Sequence, residues 1–256
     1  SSPCAFWNED IDLRVVVHVD DFTILGHDGS LDWFREKIKE RFEVKVRGRI
    51  GPEQKDDKAI RILNRIVEWT SEGTNYEADQ RHAEIIFREL ELGKRSTSLS
   101  TPAIRTDVTC DEEETKYPPA EQATKYRALV ARGIYLAQDR SDIAYAVKEL
   151  SRGMARPTRE NEEALKRFGR YLVGRPREVK VMRYQKAVTD IEVWTDTDHA
   201  GCRKARKSTS GGLVLLGSHV AKSWSSTQAV VALSSAEAEY YGMVKGASVA
   251  LGMREM

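Results

Sequence analysis

Asp20 and Asp21 stand side by side between two apolar runs, Leu13 to Val19 and Phe22 to Leu25. Adjacent carboxylates repel each other, so a fold keeps such a pair where something offsets the cost. A divalent cation does so, and hard oxygen donors suit Mg²⁺. Mg²⁺ ions held in pairs by carboxylates are a common apparatus of nucleotidyl transfer. Asp-Asp is also an ordinary turn dipeptide, so the pair alone does not separate the two readings.

A second set of acids lies near the other end. Asp196 closes the apolar run Ile191 to Thr195, Asp198 follows it, and Glu239 sits early in a later helical stretch. A strand-end Asp and a helix Glu brought together can share a metal ion. Alternatively, Asp196 caps a turn and Glu239 is a solvated helix acid. Glu237 has a structural task of its own as the capping-box partner of Ser234, which leaves Glu239 as the better ligand candidate. Between these acids come Arg203, Lys204, Arg206 and Lys207, followed by Ser208, Thr209, Ser210 and Gly211. Cations and hydroxyls in such a cluster suit a nucleic-acid phosphate backbone, or else a charged hairpin loop.

The elements that must position these groups read as α/β. The β-branched run Val15-Val16-Val17 and the Phe22 to Leu25 run make a tight hairpin with the two carboxylates at its tip. Ser30 is expected to cap a helix carrying Leu31, Phe34, Ile38 and Phe42. Val44 to Val46 and Ile60 to Trp69 read as strands. Asp79 opens a helix carrying Ala83, Ile86, Phe87 and Leu90, with Gly93 as its stop. A Ser/Thr run, the acidic run Asp111 to Glu114 and Pro118-Pro119 mark residues 94–122 as a flexible linker.

Three helices follow, with Tyr126, Leu129, Val130, Gly133 and Ile134 on the first. Ile143, Ala146, Val147 and Leu150 lie on the second, and Leu165, Phe168 and Leu172 on the third, which begins near Thr158 and ends at Gly174. The pattern then returns to strand: Ile191 to Thr195 as a central strand, then Gly212 to Leu216 and Val220 to Trp224 joined by a turn at Gly217-Ser218. Ser234 opens a last helix whose apolar stripe is Ala236, Tyr240, Met243, Val244, Ala247 and Leu251.

Composition narrows the class. With 41 basic and 40 acidic residues the net charge is +1, so total charge selects no partner. Distribution says more: Arg152 to Arg183 holds ten Lys/Arg against four Asp/Glu. This suggests a localised anion-binding face, or else a solvated helical surface. Cys4, Cys110 and Cys202 form no metal-ligand spacing, and a reducing compartment is the default. No apolar run approaches the length of a membrane span and no signal peptide is visible, so no membrane partner is expected.

Taken in order, these motifs resemble one family. His18-Val19-Asp20-Asp21-Phe22 resembles the Tyr-x-Asp-Asp hairpin of reverse transcriptases. Tyr135-Leu136-Ala137, Asp142-Ile143-Ala144-Tyr145-Ala146-Val147, Leu150-Ser151-Arg152, Ala164-Leu165-Lys166-Arg167 and Arg170-Tyr171-Leu172 resemble the helical segment that follows the polymerase in copia-type retrotransposons. Asp196-Thr197-Asp198-His199-Ala200-Gly201, Lys207-Ser208-Thr209-Ser210-Gly211, Trp224-Ser225 and Ser234-Ser235-Ala236-Glu237-Ala238-Glu239-Tyr240 resemble the start of that family's ribonuclease H.

The resemblance implies a partial reverse-transcriptase palm with a helical thumb and connection, followed by a truncated ribonuclease H-like domain. The implied division is palm and thumb in 1–93, linker in 94–122, helical connection in 123–186 and ribonuclease H-like domain in 187–256. It implies metal-binding, catalytic roles for Asp20 and Asp21 in RNA-directed DNA synthesis. It implies the same for Asp196 and Glu239 in degrading the RNA strand of RNA–DNA hybrids, with Mg²⁺ as the ion at both sites. The implied partners are an RNA template, DNA, the hybrid and the remaining parts of the Pol polyprotein. The implied location is intracellular: the cytoplasm, in a virus-like particle, and the nucleus.

Three positions depart from the family pattern: His18 for Tyr, His199 for Trp, and Asn64 where Gly usually follows Leu63. An earlier palm Asp and the later ribonuclease H carboxylates lie outside these 256 residues, so each site is expected to be half built and the chain alone inactive. The alternative is a non-catalytic nucleic-acid-binding remnant of a degenerate element.

Overall fold

The computed structural model describes residues 4–93, 96–104, 119–202 and 205–255. It is a mixed α/β arrangement with three small antiparallel sheets.

The first sheet has the order β1-β2-β3, from β1 (Ala5–Asn8), β2 (Leu13–His18) and β3 (Asp21–Leu25). Alternation along β2 buries Leu13 and Val15 and leaves Arg14 and Val16 outside. Helix α1 (Asp28–Lys39) leans on this sheet through Phe34, whose ring lies 6.5 Å from that of Phe22. None of its residues is fully buried. Ser30 is not the cap. That position belongs to His27, and the Ser30 hydroxyl donates to the Ile11 carbonyl at 2.7 Å. Val44 to Val46 form no strand; Arg49 instead ties the following loop to α1 through Asp28 and Asp32.

The second sheet has the order β4-β5-β6-β7, from β4 (Ala59–Ile62), β5 (Arg65–Thr70), β6 (Gly73–Glu77) and β7 (Val179–Arg183). The Ile60 to Trp69 run is thus two strands. It turns at Leu63 and Asn64, with φ of 48° and 68°. Both central residues of this two-residue hairpin are left-handed, a conformation that suits Asn or Gly and explains how Asn64 replaces the usual Gly.

Helices α2 (Gln80–Glu89), α3 (Ala120–Leu136), α4 (Ala144–Arg152) and α5 (Arg159–Gly174) pack into the main core. Ile86, Val130, Ile143, Phe168 and Leu172 are almost wholly enclosed there. Asp79 caps α2 by accepting from the Arg81 amide, and Thr158 with Asn161 makes a full capping box on α5. Helix α2 ends at Glu89, and Glu91 takes the left-handed turn expected of Gly93. Ile134 faces solvent, while the other apolar positions expected on α3 to α5 are buried.

Residues on either side of the 94–122 stretch therefore share one core, and β7 pairs with β6. Part of that stretch, 96–104, lies along α5: Arg170 donates to the Thr97 carbonyl and Arg167 to the Thr101 hydroxyl, each at 2.8 Å. Its acidic run and Cys110 fall outside the described residues.

The third sheet has the order β10-β9-β8, from β8 (Ile191–Thr197), β9 (Thr209–Leu216) and β10 (His219–Thr227), with helix α6 (Ser235–Arg254) across it. Strand β8 is an edge of this sheet rather than its centre. The stripe Tyr240, Met243, Val244 and Leu251 is exposed, and α6 meets the sheet through Ala238, Gly242 and Gly246. A Cβ on Gly246 would lie 2.6 Å from Thr195 Cγ2 and 3.0 Å from Val193 Cγ1. The glycines thus set the close approach of helix to strand. Gly246→Leu is expected to cost about 1–3 kcal/mol by overpacking, read as a lower urea midpoint of tryptophan fluorescence; an unchanged midpoint would place α6 elsewhere.

Among the described residues no helix is long and apolar enough to cross a membrane.

Candidate active sites

Strands β2 and β3 pair down to His18 opposite Asp21, so Val19 and Asp20 alone make the turn. Val19 has φ of 58° and is 87% exposed. A β-branched residue is strained in that region, and the turn holds it where glycine would be at ease. Val19→Gly is expected to raise stability by about 1 kcal/mol, measured by thermal unfolding; a loss would mean the turn is unstrained. Asp20 projects at the tip. Asp21 is half-buried at the start of β3 and pairs with Arg47 at 3.0 Å. Exposed pairs of this kind are worth about 0–1 kcal/mol, so Arg47 restrains Asp21 without committing it.

In the third sheet Thr195 and Thr197 lie beneath α6, since Cβ atoms on Gly246 and Gly242 would touch their methyl groups. Alternation then turns Asp196, with Trp194 and Glu192, to the other, exposed face. Asp196 pairs with Gly211 across the strands. Glu239 is half-buried on the flank of α6, in its first turns. The two carboxylates do not share the helix-facing surface of the sheet.

Glu237 is turned back to the cap: its amide donates to Ser234 Oγ, and its carboxylate accepts from the Leu233 amide at 2.7 Å. It also accepts from the Tyr241 hydroxyl. Among the described residues no three of His, Cys, Asp and Glu gather in metal-binding geometry. Each place offers two carboxylates, too few for a metal cage, so the residues present do not by themselves make a Mg²⁺ site.

The loop between β8 and β9 is tightly built. Asp198 accepts from the Thr209 amide at 2.7 Å and from the Gly201 amide at 3.2 Å. The Cys202 amide donates to the Lys207 carbonyl and the Cys202 carbonyl accepts from the Arg206 amide, and Arg206 takes a left-handed φ of 54°. Arg206 is exposed, while the Lys207 ammonium donates to the Ala229 carbonyl at 2.6 Å. Arg203 and Lys204 lie outside the described residues.

The three hydroxyls proposed for phosphate are already engaged. Ser208 accepts from the Ala200 amide, Ser210 from the Gln228 side chain, and Thr209 from Lys148. Ser208 and Ser210 are buried. Composition shows a polar tract here, whereas strand alternation decides which of its hydroxyls face inward.

Lys245 escaped sequence reading. It sits half-buried on the opposite flank of α6 and donates to Ser226 Oγ. Burial, and then the charge of Lys222, lower its pKa. Its only sequence signal is that it is the sole basic residue on α6 before the last turn.

Comparison with known proteins shows the family. The retrovirus-related Pol polyprotein from transposon RE1 of Arabidopsis thaliana is 32% identical over 238 residues, covering 91% of this chain. The Pol polyprotein from transposon RE2 of the same plant is 31% identical over 92% of the chain. This chain belongs to the copia-type Pol polyprotein family of retrotransposons. The Pol polyprotein from transposon TNT 1-94 of Nicotiana tabacum is similar too, 29% identical over 94% of the chain. This Pol-family chain spans 15% of the length of the two Arabidopsis relatives and 18% of the tobacco one. No family model matches it, and no solved structure matches it.

Proposed function

We propose that this chain is the part of a Pol polyprotein that runs from the end of the reverse-transcriptase palm, through a helical thumb and connection, into ribonuclease H. The observation that carries the reading is the two-residue hairpin with Asp20 and Asp21 at its tip, in a chain similar to Pol polyproteins over nine-tenths of its length. In the longer polypeptide Asp20 and Asp21 serve RNA-directed DNA synthesis, and Asp196 and Glu239 serve hydrolysis of the RNA strand. The ion is Mg²⁺, completed by carboxylates from outside this chain. Arg206, with Arg203, Lys204 and Lys207, meets the phosphates of the RNA–DNA hybrid.

A second reading, a nucleic-acid-binding remnant without catalysis, is favoured by the turn of Asp196 away from α6. Hybrid cleavage by a polypeptide lengthened beyond Met256 separates the two. The first reading expects cleavage that Glu239→Gln and Asp196→Asn each reduce on the order of a hundredfold. Hybrid binding without cleavage, or cleavage indifferent to both changes, would overturn it.

A further inference from the structure

Arg140 is 1% exposed and carries its charge into the protein interior. Its Nε and Nη2 donate to the two Asp142 oxygens at 3.1 and 2.6 Å, and its Nη1 donates to the Arg175 carbonyl at 2.9 Å. Tyr171, on α5, adds its hydroxyl to Asp142 at 2.6 Å. A second carboxylate, Glu178, also faces this guanidinium, with Oε2 at 3.5 Å from Nε. That oxygen is buried and has no hydrogen-bond partner. One buried cation thus faces two carboxylates, and one Glu178 oxygen is left without a hydrogen-bond partner.

Glu178 sits where the chain leaves α5 and enters β7, next to Val179, which pairs with Glu77. From there the chain runs on to β8 and the sheet bearing Asp196. We propose that the Arg140–Asp142–Glu178 cluster is a proton-operated latch on this connection, closed while Glu178 holds a proton and loosened when it loses it.

In the closed state the Glu178 carboxyl donates its proton toward the Asp142 carboxylate, which remains ionised on Arg140. Loss of that proton leaves two negative charges on one guanidinium in a poorly solvated place. The groups acting on Glu178 are Asp142 and Arg140 around the 3₁₀ turn at Ser141–Ile143 and Lys180 on β7, while Tyr171, with Arg175 beside it, meets Asp142 from α5. Burial, then Asp142, push the Glu178 carboxyl up to about 7, while Arg140 and Lys180 oppose this. A carboxyl raised in the folded state stabilises the fold below its ordinary range. That contribution is lost as pH rises through its folded value.

Hydrogen exchange of the 256-residue chain at about pH 6 and about pH 8, corrected for intrinsic rates, tests this. The Val179–Arg183 amides should lose about tenfold protection at the higher pH, relative to those of α5. Glu178→Gln should abolish the difference. Lys180→Met, which removes an opposing cation, should move the midpoint to higher pH. Equal protection at both pH values in the wild type, or a pH response retained in Glu178→Gln, or an unmoved midpoint in Lys180→Met, would overturn the proposal.

Discussion

Arg140→Ala is expected to remove about 3 kcal/mol of stability, because it strips the main partner from a half-buried carboxylate rather than removing a pair. Asp142 would keep only the Tyr171 hydroxyl and the Glu178 carboxyl, and the Arg175 carbonyl would lose its donor. Asp142 also gives the effect an acid signature. Burial works to raise its carboxyl, but the hydrogen bonds from Arg140, Glu178 and Tyr171 together outweigh burial and hold it down to about 2. A depressed carboxylate stabilises above its ordinary value of 3.8 and loses that contribution as pH falls through its folded value. Thermal unfolding at neutral pH and near pH 3 checks both. The cost of Arg140→Ala should be large at neutral pH and smaller in acid. A loss below about 1 kcal/mol at neutral pH would mean that water, not Arg140, satisfies Asp142.

The hairpin was legible because its information is local: β-branched residues on one side, a short apolar run on the other, and room for only a tight turn between. The helices of the main core were legible for the same reason, since Leu129, Val147, Phe168 and their neighbours repeat at helical spacing. Strands β6 and β7 were not. Gly73 to Glu77 is polar and short, and its partner Val179–Arg183 lies about a hundred residues away, so its pairing is a property of the tertiary fold. The division of Ile60 to Trp69 was carried by one residue, Asn64, inside an otherwise continuous strand pattern.

Helix α6 misled for a physical reason. Its large apolar side chains are on the exposed face, while Ala238, Gly242 and Gly246 make the contact. Hydrophobic periodicity gives small residues little weight, yet close packing of helix on sheet needs them. The Arg140 network was invisible because Asp139-Arg140-Ser141-Asp142 reads as a polar turn, and nothing local marks one of those charges as buried.

In a polypeptide carrying the residues that precede Ser1, Asp20→Asn or Asp21→Asn is expected to lower RNA-directed DNA synthesis on the order of a thousandfold. Both changes keep side-chain shape while removing the charge that a divalent ion requires, and both side chains lie at or beside an exposed turn, so the fold should survive. Asp21→Asn also breaks the Arg47 pair, an exposed contact whose loss should cost about 0–1 kcal/mol, far too little to account for such an effect. Primer extension on an RNA template, comparing the wild type with each variant at equal folded concentration, is the measurement that bears most directly on the assignment of this chain to a working Pol polyprotein. Synthesis in the wild type that both variants abolish is the expected result. Synthesis that continues undiminished when Asp20 and Asp21 are both Asn would contradict it.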